Sequence, residues 1–443
     1  MEASPKTMNA PRQGLRLPAL EGVCMKRVRR AASLVFSYAS LNILGRVVQM
    51  ITAFMVVRAL GKTDYAWYSL ANNLVGALGM FTVTGIGTGL MPVAGEVAHD
   101  RLKLGAVMAS AARFRTSLLL VGALTGIPVF VHLLLSSECS VFKTSVLVTA
   151  ALVSVLINIA SQMMTTPLSL VGRYSVPQWE NIMNCTLRLL FIAVLIGAGM
   201  ADALTVMIIT VLAPLPSVFA WMLPKARQYA AFEQPVDPAA TQRLKKHFVV
   251  GLPTSLTYLF EAQIATFIIG FMGNIDKVAD LGAIGRVALI LQVPLAVASG
   301  ILLPRMSAEQ NQSRLWKLWI GSSLLSVLSG GAVLFGGWLM RHKLLMLLGP
   351  AYAGLEHELV FYLGFQVFSF VVTVVSMPVQ SKGWVRHSWI RPILVFGCQA
   401  LSACFLDLST VNGAIGLMCA GSVGNTLLNV FLLFHGWRGR AGL

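Results

Sequence analysis

The 443-residue chain is 56% hydrophobic and only 12% charged, and its mean hydropathy is +0.75. A soluble domain carries roughly 25% charged residues, so this chain has too little polar surface to cover a globule in water. The formal charge of +17 is scattered over short segments between apolar runs, with no basic region interleaved with aromatics. That distribution reads as orientation signals and contact with anionic lipid headgroups, and argues against nucleic acid.

The apolar runs are about twenty residues long, the length that crosses a hydrocarbon core of about 30 Å. Alternating barrel strands are missing from the pattern, so the spans are helices. In chain order, residues 1–32 read as a cytoplasmic extension with no cleavable signal peptide. Met25, ahead of Lys26, Arg27, Arg29 and Arg30, is a second candidate start. Spans at 33–57, 65–92, 116–136, 144–166, 178–198 and 203–223 form an N-terminal six-helix lobe, 33–223. Within it, the mixed, charged stretch from Glu96 to Arg115 reads as an interfacial cytoplasmic helix. The charged segment 224–247, with Pro235 and Pro238, reads as a cytoplasmic linker. Spans at 248–272, 279–303, 316–338, 358–379, 389–407 and 412–435 build a C-terminal lobe, 248–436, and 437–443 is a cytoplasmic tail. The expected fold class is an all-α polytopic membrane protein with twelve transmembrane helices in two six-helix lobes around a central cavity.

Lys and Arg set the orientation. With both termini in the cytoplasm, 25 fall on that side and six on the other: Arg58, Lys62, Lys143, Lys277, Arg341 and Lys343. Such a bias supports an even number of spans and a multi-pass protein of the inner (plasma) membrane. The lobes also echo one another. Residues 54–96 end in LMPVAGE and 267–309 in LLPRMSAE, and Pro167-x4-Gly172 recurs as Pro378-x4-Gly383. Offsets of 213 and 211 suggest a parallel repeat.

Ionisable groups inside spans are informative because each costs about 2.5–3.5 kcal/mol to insert. Arg46 lies midway along span one, and Tyr38, Asn42, Arg46 and Gln49 fall on one helical face. That face reads as cavity lining, against a helix–helix hydrogen-bond network. Arg286 in span eight reads the same way, and Arg188 in span five either lines the cavity or pairs with a neighbouring helix. Glu261, in span seven with Thr254 and Thr257 on its face, reads as the only deep carboxylate. Two roles stay open for it: a counter-ion to an arginine, or a proton carrier in ion coupling. Gly76, Gly79, Gly85, Gly87 and Gly89 suggest close packing by span two.

Catalytic signatures are missing: the chain has no GxSxG, HExxH or P-loop motif and no acidic loop cluster. Its six cysteines show no metal spacing, and its seven histidines are scattered. His342 and His357 share an outer loop with Glu356 and Glu358, which reads as solvated. The expectation is no enzyme, no cofactor, no metal and no catalytic residue, with coupling supplied by ion gradients, membrane potential or substrate supply.

The segment 58–70, RALGKTDYAWYSL, resembles the R-x-L-G-x-x-x-Y-G-x-Y-S pattern of polysaccharide (O-antigen and exopolysaccharide) flippases of the multidrug/oligosaccharidyl-lipid/polysaccharide exporter superfamily, with Ala66 where the family has Gly. Leu170-Val-Gly-Arg-Tyr174 is similar to the family's G-R-[YF] turn, and Arg286 with Gln292-Val-Pro294 to its R-…-Q-x-P run. The resemblance implies alternating access by two six-helix bundles, moving polyprenyl-diphosphate-linked oligosaccharide to the outer leaflet for cell-surface polysaccharide or lipopolysaccharide synthesis. It implies lipid-linked oligosaccharide and membrane lipids as partners, and a polysaccharide polymerase or chain-length machinery beside them. Three deep arginines against one glutamate suit a diphosphate. The rival from the same superfamily is an ion-coupled exporter of organic cations, which Glu261 favours. A membrane glycan polymerase or ligase is disfavoured because the longest loop is cytoplasmic. A mere scaffold is disfavoured by the cost of the deep charges.

Overall fold

The computed structural model describes residues 40–271, 275–309, 311–382, 384 and 388–441. The N-terminal extension, the second candidate start and Tyr38 lie outside them. Every regular element among the described residues is helical. Helix α1 is Ser40–Ala59, α2 Lys62–Glu96, α3 Arg101–Ser136, α4 Val141–Leu170 and α5 Ser175–Gly197. Helix α6 starts as Ala203–Leu212. Pro214 and Pro216 withdraw two backbone donors, and the rod widens to a π turn over Pro216–Met222 before closing at Leu223–Ala226.

The second lobe repeats the series: α7 is Pro238–Phe271, α8 Ile275–Val287, α9 Gln312–Leu339, a short α10 Arg341–Leu348, α11 Glu356–Val375, α12 Arg391–Ala403 and α13 Val411–Ala441. After Val287 the α8 rod continues through a 3-10 turn, Ala288–Leu291, and a π turn, Ala298–Leu302, each just ahead of a proline, Pro294 or Pro304. Setting α10 aside as a connection, this is the expected all-α architecture of twelve helices in two six-helix lobes around a central cavity. Nine helical stretches among the described residues are long and apolar enough to cross a membrane. Leu124, Leu325 and Phe335 are each more than 60% exposed, which is stable only with hydrocarbon as solvent.

The lobes share a core. Val56, Tyr65 and Leu74 of the first lobe pack with Ile284, Tyr352 and Leu359 of the second. Elsewhere the cores part: Leu168, Val218 and Met222 cluster in the first lobe, and Met306, Leu315 and Val374 in the second. Helix α2 lies along α7, joined by Asn73 Nδ2 to Thr266 Oγ1 at 3.3 Å, the edge-to-face pair Phe81–Phe248, and the Glu96–Arg243 ion pair at 2.6 Å. The repeat marks fall at like places. Pro167 lies in the last turn of α4, and Pro378 in the turn Met377–Ser381 that follows α11.

Two local expectations change. Glu96 to Arg115 is not a separate interfacial helix. Glu96 ends α2, and Arg101 to Arg115 are the first four turns of α3. Asp100 caps that helix by accepting the amides of Lys103 and Leu102, which hold its carboxyl below the usual range. Gly76 and Gly79 give span two no close approach. Gly79 has open space beside it and Gly76 an ordinary contact, while the side-chain surroundings of residues 85, 87 and 89 lie outside the described residues. The tight seams run through Gly122, against Leu78 and Phe81, and through Gly282, against Ser69 and Tyr65.

Candidate substrate cavity

A cavity of about 110 Å³ sits where α1, α2 and α5 of the first lobe meet α8 of the second. Each helix presents one polar face to it: Gln49 and Thr52 from α1, Tyr65 and Tyr68 from α2, Asn181, Asn184 and Arg188 from α5, and Arg286 from α8. Tyr65 and Tyr68 are three residues apart, so both point the same way, with ring centroids 6.2 Å apart. Arg286 donates its Nε–H to Tyr65 Oη at 3.2 Å, and Arg188 donates from Nη2 to Tyr68 Oη at 2.5 Å. Two guanidinium groups from different lobes are thus held by phenols on one turn. The Arg188 Nε is out of solvent with no partner among the described residues. Among the described residues no carboxylate lines the cavity. The volume is that of roughly three or four waters, well under the ~300 Å³ that encloses a drug-sized ligand. In this arrangement it can take a compact anionic group, and anything larger requires the lobes to part.

The expected residues divide between this cavity and its neighbourhood. Arg188, Arg286 and Gln49 line it. Arg46 is half-buried one turn away, donating to Gln49 Oε1 at 3.4 Å, and is not among the lining residues. Asn42 is half-buried, its Oδ1 lacking a partner among the described residues. Glu261 stands apart on α7, within 3.4 Å of Ser422 Oγ on α13. It forms no ion pair within 4 Å among the described residues, so it does not neutralise Arg46, Arg188 or Arg286. The side chain of Thr254 lies outside the described residues, and Thr257 turns back onto the Pro253 carbonyl at 2.8 Å. His342 meets Glu356 at 3.1 Å on an exposed surface.

Several buried polar groups escaped the sequence reading. Tyr65 and Tyr68 were visible only as pattern letters. Arg391, two residues inside the expected span 389–407, is 7% exposed, bonds to Tyr258 Oη and lies 4.8 Å over that ring. Gln399 is 3% exposed with both amide atoms unpartnered among the described residues, and Gly421 sits between it and Glu261. Arg115, counted as a flank, is 3% exposed and donates to Gln162 at 2.9 Å. Glu180 is 8% exposed and accepts from Ser217 Oγ at 3.0 Å. Glu261 is therefore not the only carboxylate withdrawn from water.

Two six-helix lobes with a polar cavity at their seam are the arrangement to set beside known proteins. No protein-family model matches the chain, and no curated protein matches its sequence significantly. Its fold is that of solved transporters of the MOP superfamily. An inward-facing multidrug resistance MATE family transporter of that superfamily has a TM-score of 0.63 at 16% identity, over 89% of this chain and 94% of that one. A MATE transporter of Vibrio cholerae gives 0.61 at 15%, over 92% and 97%. A MOP superfamily transporter of Pyrococcus furiosus, whose reversed binding-pocket polarity suggested a different function, gives 0.62 at 17%, over 92% and 95%. These likenesses establish the fold alone. They do not extend to the polysaccharide flippase branch that the motifs resemble.

Proposed function

We propose that the protein is an alternating-access exporter whose cargo carries an anionic group into the Arg188–Arg286 cavity. The observation that carries this reading is the pair of guanidinium groups meeting from opposite lobes in a space lined by no carboxylate among the described residues. A forked donor set of that kind suits phosphate oxygens, and an anion there would relieve the repulsion between the arginines. Placing one arginine on each lobe lets cargo binding and lobe movement report on one another. On this reading the cargo is a lipid-linked oligosaccharide on a diphosphate, its polyprenyl tail left in the bilayer. The setting is an inner membrane with both termini cytoplasmic, 33–223 and 248–436 acting as two lobes joined by 224–247, and a polysaccharide polymerase or chain-length machinery acting nearby.

The second reading is an ion-coupled exporter of organic cations, and the comparisons lean towards it more than towards glycan flipping. Two of the three structural neighbours described above are MATE transporters, one of them named for multidrug resistance. Glu261, which has no ion pair within 4 Å among the described residues, supplies a carboxylate for such coupling, with the Arg391 charge in its neighbourhood. Against it stands the positive cavity. Binding to the purified protein separates the two, with a short-chain prenyl diphosphate and ethidium as probes. The anionic reading expects diphosphate binding that disappears in Arg188→Ala and Arg286→Ala. Ethidium binding that survives both substitutions, with no diphosphate binding in the parent, would establish the cation exporter instead.

A further inference from the structure

We propose that the protein carries a second ligand site, for the headgroup of an acidic phospholipid, at the junction of α3 and α7 and separate from the cargo cavity. A pocket of about 590 Å³ opens there, walled by Ser110, Arg113, Phe114 and Ser117 of α3 and by Val236, Pro238, Thr241, Gln242 and Lys245 of the connection and α7. One wall belongs to each lobe. Its two cations, Arg113 and Lys245, are exposed and enter no ion pair among the described residues. Nearby Lys103, Arg227 and Arg243 are each matched to a carboxylate, Asp100, Glu233 and Glu96 respectively. The carboxylate next to the pocket, Asp237, is engaged at the start of α7, where it accepts the Ala239 amide at 2.9 Å.

The walls are fixed rather than adaptable. Ser110 Oγ donates to the Ala106 carbonyl of its own helix at 2.8 Å and accepts the Asp237 amide at 2.8 Å, which pins the connection to α3. Phe114 meets Phe248 edge to face at 5.5 Å and closes the floor.

Sequence position on α3 selects a lipid over a free anion. Arg113 and Ser117 share a helical face with Leu120, Val121 and Leu124, at steps of four, seven, eight and eleven. The three apolar residues are 63%, 53% and 78% exposed. Lys245 likewise shares its α7 face with Val249, which is 64% exposed. Helix α3 therefore passes from a cation in the pocket to exposed apolar side chains within two to three turns, and α7 reaches an exposed valine one turn on. A ligand with a phosphate at one end and acyl chains at the other satisfies both parts. Basic pockets between helices on the cytoplasmic side of a membrane suit such headgroups.

The test is lipid retention by the full-length protein in detergent, read by native mass spectrometry with phosphatidylglycerol and phosphatidylethanolamine as probes. The parent should hold phosphatidylglycerol on the order of ten-fold more tightly than phosphatidylethanolamine. Arg113→Gln with Lys245→Gln should abolish that preference. Ser117→Trp, which keeps both charges and fills the pocket, should do the same. Lys103→Gln with Arg227→Gln removes equal charge from α3 and the 224–247 connection and should leave the preference intact, as should Arg286→Ala in the cargo cavity. Equal loss in the Lys103/Arg227 variant would reduce the effect to general surface charge and overturn the site. So would a preference untouched by the Arg113/Lys245 pair, or displacement of the lipid by millimolar inorganic phosphate.

Discussion

Lys62 and Asp280 meet at 2.9 Å across the two lobes, the first residue of α2 against the second turn of α8. The Asp280 side chain is 9% exposed and that of Lys62 30%. Beneath them, toward the cavity, Gly282 lies flush against Ser69 and Tyr65, and Arg286 reaches Tyr65. The ion pair, the close approach and the arginine fall within two turns of α8. They form one seam, whose end must part before a large cargo can pass.

That seam gives the first prediction. An exposed ion pair contributes about 0–1 kcal/mol and a fully buried one costs about 3–5 kcal/mol when one partner is removed. With Lys62 partly in solvent, a value near 1.4 kcal/mol is expected, which is about ten-fold in the opening equilibrium. Asp280→Ala should therefore raise labelling of a cysteine placed at the buried Ser69, in a background without the native cysteines, by about ten-fold. Exchanging the charges in Lys62→Asp with Asp280→Lys should restore slow labelling. Unchanged labelling in Asp280→Ala would show that the ion pair does not hold the seam.

Orientation is tested by reporter fusions. Fusions in the connection between α6 and α7, at Gln234, and at Arg440 should both report cytoplasm, and fusions at Cys139 and Asp202 the opposite side. A C-terminal fusion on the outside would break the twelve-span reading and reverse the direction of transport proposed here.

The fold was legible because hydrocarbon imposes one rule on every span: a long apolar helix. The placement of single charges was not, and α3 shows why. At 36 residues it far exceeds the length that crosses a bilayer, so Arg115 lies inside a packed helix although its sequence neighbours Arg101, Lys103 and Arg113 are exposed. Counting basic residues by flank cannot see that Gln162 waits on α4 to receive it. Arg391 was missed for the same reason, since Tyr258 lies 133 positions away in the chain. Arg188 and Arg286 were found because their depth in apolar runs is itself a sequence property. Their phenol partners had one signal, the three-residue spacing of Tyr65 and Tyr68 within the motif, which periodicity alone could have placed on one face.

Glu261 yields the third prediction. With Ser422 as its neighbour and no ion pair within 4 Å among the described residues, it can bind a proton or a small cation without breaking a salt bridge. Glu261→Gln keeps the shape and removes the charge. The protein should accumulate at normal level, and transport in proteoliposomes should lose its dependence on an imposed pH gradient. A fall in protein level with coupling retained would instead assign Glu261 a structural role, through Ser422 and the neighbouring Gln399.

The final prediction separates the arginines by position. Arg188 and Arg286 line the cavity, each fixed by a phenol, while Arg46 lies one turn outside and donates a hydrogen bond to Gln49 at 3.4 Å. Losing a hydrogen bond to a charged group costs about 1.5–3 kcal/mol, or roughly one to two orders of magnitude in affinity. Arg188→Ala and Arg286→Ala should each weaken prenyl-diphosphate binding by about that factor, and Arg46→Ala by less than three-fold. The lysine variants should fall between, because a point charge survives and the fork does not. Tyr65→Phe removes only the acceptor that aims Arg286. It should lower affinity several-fold in the Arg286 parent and have no further effect in Arg286→Ala, since a residue acting through another has nothing left to position. Additive losses in that double variant would mean that Tyr65 contacts the cargo itself. Equal losses at Arg46 and Arg286 would move the binding site out of the cavity and toward the N-terminal end of α1.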